Sequence, residues 1–148
     1  MIPSPGQTLT DIAVRIATHL MPALNSNFTQ ADSGLITALL LAFGQDFERA
    51  IYNRMTDIDE IKTVCAQVRE SPIDDRSGLP SQQELDDFMQ QTPTTLMLAD
   101  VNELHAHAME LLIRIHAWAE NHDSDLDRQV WRLLRHHCER NKFDLPVF

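Results

Sequence analysis

The chain has only two cysteines, four glycines and one tyrosine in 148 residues, and aromatic side chains make up just 6% of it. Cys65 and Cys138 stand far apart and belong to no Cys-x-x-Cys or Cys/His zinc pattern. The fold is therefore expected to need neither a disulfide framework nor a structural metal, and a reducing, cytoplasmic location is expected. The scarcity of glycine excludes most phosphate-wrapping loops. No dinucleotide fingerprint, phosphate loop or Gly-x-Ser-x-Gly elbow is present. Long hydrophobic runs are missing too: the most apolar, residues 35–43, covers nine positions, against roughly 20 needed to cross a bilayer. The opening Met-Ile-Pro-Ser-Pro-Gly lacks the basic start and apolar stretch of a signal peptide.

Positive charge is in short supply. Twelve Lys and Arg face 22 Asp and Glu, a net charge of −10. Such a balance repels phosphates and disfavours both a nucleic-acid partner and an anionic membrane surface. The charge is uneven: residues 57–127 hold 16 acidic and four basic side chains, whereas residues 128–142 hold five basic ones and Glu139. Arg128, Arg132, Arg135 and His136 share one helix face. This strip suits either a phosphate contact or, as we favour, complement to a helix dipole and to acidic neighbours.

Apolar residues are plentiful, at 43%, and they recur at steps of three and four. An all-α, single-domain helical bundle of about five to six helices is expected over residues 1–148, with residues 1–7 and 143–148 as flexible or docking tails. The first helix is expected over residues 9–21, with Thr8 or Thr10 as cap, Leu9, Ile12, Ile16 and Leu20 on one face, and Pro22 as its stop. A second begins near Thr29. Its stripe of Ile36, Leu40, Phe43, Phe47 and Ala50, widened by Leu35, Leu39 and Ala42, predicts the most buried helix, with Gly44 at a close crossing. Thr56-Asp57-Ile58-Asp59-Glu60 looks like a fresh start, a capping hydroxyl followed by three carboxylates in a first turn. That third helix turns Ile58, Ile61, Cys65 and Val68 inward and ends before Pro72. After a loop over residues 71–80, Ser81-Gln82-Gln83-Glu84 forms a capping box. A long helix over residues 95–121 carries the seam Met97, Val101, Leu104, Ala108, Leu111, Ile115 and Trp118. The last, capped by Asp123 or Ser124, presents Leu126, Val130, Leu133 and His137.

Seven histidines raise the question of metal. Glu103, His107 and Glu110 fall within about 60° of one another around the long helix, and such a set can supply part of an iron or zinc site if facing helices complete it. The histidine- and glutamate-bearing helix resembles ferritin-like and haemerythrin-like bundles in general shape only. Their paired Glu-x-x-His motifs are missing, and His107-x-x-Glu110 reads in reverse. His105 and His137 border apolar seams and are expected to be half-buried and hydrogen-bonded to neighbouring helices. No nucleophile stands out, since both cysteines lie on apolar faces.

The function these features favour is a non-enzymatic interaction or regulatory bundle that binds a protein partner or itself, most simply as a homodimer, with no cofactor. Ala106, Met109 and Ile113, on the far side of the long helix, and Trp131 and Phe148 would supply apolar surface for it. The alternative is a metal-binding bundle using Glu103, His107 and Glu110. A third is a small-molecule regulator with a pocket lined by Phe43, Phe47 and Trp118.

Overall fold

A computed structural model of the chain describes residues 4–144. The chain is an all-α helical bundle. Its α-helices are α1 (Pro5–Arg15), α2 (Asn27–Glu70), α3 (Gln82–Gln90), α4 (Leu98–His122) and α5 (Ser124–Arg140), with no strand among the described residues. No described helix is long and apolar enough to cross a membrane. Two compact units divide the described residues: 4–50 with 141–144, and 51–140. Helix α2 gives its first part to one and its second part to the other.

In the first unit, α1 begins four residues before its expected start, with Pro5 in its first turn. Ser4 is its cap, the hydroxyl accepting from the Gln7 N–H at 3.1 Å. Residues 5–7, expected as part of a tail, are thus helical. Thr8 and Thr10 do not cap; each donates its hydroxyl to the carbonyl four residues back, Ser4 and Gly6, at 3.0 Å. Beyond Arg15 the helix widens into a π turn, Ile16–Leu20, in which the Met21 N–H reaches back to Ile16 O. A short 3-10 turn, Met21–Ala23, carries Pro22. Proline has no N–H to continue the α ladder, which accounts for a break at this place. Gly6 and Gly44 bring α1 and α2 together: a Cβ on Gly44 would stand 3.0 Å from Gly6 O and 3.2 Å from the Thr10 hydroxyl. The expected close crossing at Gly44 is found. Of the expected C-terminal tail, residues 143 and 144 are described and the rest lie outside the described residues. Gln45 exchanges two hydrogen bonds with the Asp144 backbone, and Arg49 donates to Lys142 O.

Of the stripe expected to make α2 the most buried helix, Ala50 is buried and Leu40 and Ala42 are half-buried, but the other members are turned outward in this unit. Leu41, Ala50 and Thr37 are buried, whereas Leu35, Ile36, Leu39, Phe43 and Phe47 are exposed. The periodicity is helical as expected, but among the described residues nothing in the unit covers that side. Phe43 and Phe47 therefore line no interior pocket.

The second unit holds the main core. Ile58, Ile61, Val64, Cys65 and Val68 of α2 pack with Leu85 and Phe88 of α3, with Leu104, Ala108, Leu111, Leu112 and Ile115 of α4, and with Leu126, Val130 and Leu133 of α5. Burying each large side chain contributes roughly 1.5–3 kcal/mol. The predicted fresh start at Thr56 is a correction: α2 runs unbroken from Asn27 to Glu70. The Thr56 hydroxyl donates to Tyr52 O at 2.8 Å, an intrahelical bond rather than a cap. The box at Ser81 and Glu84 forms in full, and Asp123 caps α5 by accepting from the N–H groups of Asp125 and Leu126 at 3.0 Å. Met97, expected on the α4 seam, lies before the helix and is exposed; the rest of the seam is buried.

Candidate functional site

Asp57 is the polar centre of the second unit. It sits in the middle of α2, where the helical turn aims its carboxylate inward, and its side chain is 1% exposed. A carboxylate taken out of water is costly unless its oxygens are occupied. Here three side chains occupy them. His105 on α4 donates from Nε2 to Oδ2 at 3.0 Å, His137 on α5 donates from Nδ1 to the same oxygen at 2.7 Å, and Arg140 Nη2 donates to Oδ1. Burial alone would raise the Asp57 pKa; the hydrogen bonds from His105, Arg140 and His137 outweigh it and hold the carboxyl far below the usual carboxylate range.

The spacing on each helix builds this arrangement. Asp57 and Glu60 are one turn apart on α2, and His137 and Arg140 are one turn apart on α5. Arg140 forks across both carboxylates, with Nη1 and Nη2 each 2.9 Å from a Glu60 oxygen. Asn53, one turn before Asp57, donates to Arg140 O at 3.0 Å and so closes the C-terminal end of α5. The imidazoles of His105 and His137 lie face to face, 6.1 Å between centroids and 22° apart in plane. Asp57, His105 and His137 are the one group of three or more metal-capable side chains among the described residues, with their ligand atoms within 4.8 Å of one another.

No protein-family model matches this chain, and no curated protein or solved structure is similar to it at a significant level. The chemistry must therefore be read from the residues themselves.

The residues singled out for metal lie elsewhere. Glu103 and Glu110 are exposed on α4. His107 pairs through Nδ1 with Gln91 Oε1 at 3.2 Å and meets the edge of the Phe88 ring. A polar recess lined by Gln91, Pro93, Asp100, Glu103 and His107 opens beside them. His105 and His137 do bond neighbouring helices, as expected; their shared partner, Asp57, was missed. The spacing of His137 and Arg140, with the paired carboxylates at 57 and 60, was the available signal. It was masked because Asp57 also fits the first turn of a new helix. Of the basic strip, Arg128 pairs with Asp125, and His136 lies 3.6 Å from Glu60.

A second feature belongs to the first unit. Leu35, Leu39, Phe43 and Phe47 form a row of i, i+4 steps along α2, with Phe28 one further turn-pair before it; they are 59, 47, 61, 55 and 79% exposed.

Proposed function

We propose that this chain is an interaction protein that acts by self-association, two copies docking through the first part of α2. The observation that supports it is the uncovered row Leu35, Leu39, Phe43 and Phe47, with Phe28 beside it. At the exposures given above, the three phenylalanines alone present roughly 300–500 Å². Contiguous apolar patches beyond a few hundred Å² mark interaction sites. With the two leucines added, the row supplies a large part of the ~800 Å² per partner of a stable interface.

A second copy is the occupant that fits this row best. An i, i+4 ridge packs into the groove of an identical ridge at a crossing angle of about 50°, and a two-fold axis lets one surface serve both partners. A bilayer surface suits it less, because a net charge of −10 opposes anionic headgroups. The same charge argues against nucleic acid. The free thiols Cys65 and Cys138 support a cytoplasmic setting.

Sedimentation equilibrium of the untagged protein tests this. A mass of twice 16.9 kDa at micromolar concentration is expected, returning to a single chain in Leu39→Glu and Phe43→Glu. A wild-type monomer, or a dimer indifferent to both substitutions, would refute the reading.

A further inference from the structure

We infer that Asp57, His105 and His137 form a binding site for a divalent transition ion of the zinc type, independent of the docking face. Two imidazole nitrogens and one carboxylate oxygen are the donor set that zinc and non-haem ferrous iron take with three protein ligands and an open position. The three donors come from three helices, α2, α4 and α5, and their ligand atoms lie within 4.8 Å of one another. Around a tetrahedral zinc at about 2.0–2.2 Å from each ligand, neighbouring donor atoms stand about 3.3 Å apart. Here Asp57 Oδ2 is 3.0 Å from His105 Nε2 and 2.7 Å from His137 Nδ1. Small shifts of the three side chains would admit the ion; each neutral ring then takes its other tautomer, the proton of His105 moving from Nε2 to Nδ1 and that of His137 from Nδ1 to Nε2 by way of solvent, so that both lone pairs face the ion.

The surroundings suit a cation. Arg140 holds the other Asp57 oxygen and keeps the carboxylate monodentate, the orienting part that outer partners play at metal sites. Its own charge is matched by two hydrogen bonds to Glu60. With neutral imidazoles, the two carboxylates and one guanidinium leave a net negative charge for the ion to meet. The His105 and His137 side chains are 17% and 30% exposed, so solvent reaches the site and a water can take the fourth position.

Equilibrium dialysis of untagged protein against Zn²⁺, with Co²⁺ absorption as a second readout, tests the site. One ion per chain and Co²⁺ ligand-field bands are expected. The variants His105→Gln and His137→Gln keep an N–H to donate to Asp57, so the fold has its hydrogen bond, but they remove the ligand nitrogen. Each should weaken Zn²⁺ binding tenfold or more and abolish the bands, while His107→Ala leaves both unchanged. Absence of stoichiometric Zn²⁺, affinity unchanged in the double glutamine variant, or loss in His107→Ala instead would each overturn the assignment. Should the glutamine variants not fold, wild-type ring nitrogen resonances decide. Zn²⁺ must move those of both His105 and His137, and a titration that moves neither ends the inference.

Discussion

His137 donates from Nδ1 to Oδ2 of Asp57 at 2.7 Å, across 80 residues of chain. This bond, with those of His105 and Arg140 to the same carboxylate, ties the last helix to the middle of α2. It replaces apolar contact at that point by a charged group that is stable only while its partners remain.

Asp57→Ala is accordingly expected to lower stability by about 1–3 kcal/mol, the cost of leaving buried donors unsatisfied, because Arg140 keeps its pair with Glu60. Urea unfolding monitored by circular dichroism measures it. A loss under 1 kcal/mol would show that Asp57 does not hold α5.

Two capping substitutions separate a continuous α2 from a helix that restarts at Thr56. Ser81→Ala should cost about 0.5–2 kcal/mol, because the Ser81 hydroxyl accepts from the Glu84 N–H at 3.1 Å. Thr56→Ala should be neutral or slightly stabilising, since alanine is the better residue inside a helix. A cost near 1 kcal/mol at Thr56 would restore the restart.

Glu84 carries a pH signature. Arg114, whose Nη1 lies 2.9 Å from Glu84 Oε1, together with the Ser81 N–H, pulls its pKa down to about 2. A carboxyl depressed in the folded state stabilises it above the ordinary value of 4.5, and that contribution fades as pH falls toward 2. The pair is half-exposed, so its worth is about 0.2–1 kcal/mol. The gap in melting temperature between wild type and Glu84→Gln should be constant from pH 7 to 5.5 and shrink below 4.5. A gap that widens in acid would contradict this.

The glycines of α2 should respond oppositely to alanine. At Gly34 a Cβ meets only the Met21 methyl, at 3.8 Å, so Gly34→Ala should gain up to about 1 kcal/mol of helix propensity. At Gly44 it presses on Gly6 O at 3.0 Å, and backbone cannot swing aside. Overpacking of this kind costs about 1–3 kcal/mol, so Gly44→Ala should be neutral at best. Thermal melts of the two variants, compared side by side, check the contrast.

If two copies of a chain with net charge −10 meet through an apolar face, salt should strengthen the contact. Raising ionic strength from about 0.01 to 0.1 M shortens the screening length from about 30 to 10 Å and relieves their mutual repulsion. Sedimentation at the two strengths should give a tighter dimer at the higher one. Weakening by salt would point to ion pairs in place of apolar contact.

Spacing and end signals alone determined the all-α class, the inward set Ile58, Ile61, Cys65 and Val68, the α4 seam from Val101 to Trp118, the box at Ser81 and the stop before Pro72. These are local matters: a 3.6-residue period, a hydroxyl three residues before an N–H, a proline with no donor. Tertiary structure alone decided which side of a helix is covered and which charge is buried. The α2 stripe around Phe43 has the same periodicity as the α4 seam, yet one faces solvent and the other the core. Periodicity places side chains on a face without naming a neighbour. Asp57 has the local sequence of a first-turn carboxylate, and only the arrival of His105, His137 and Arg140 from other helices makes its burial tolerable.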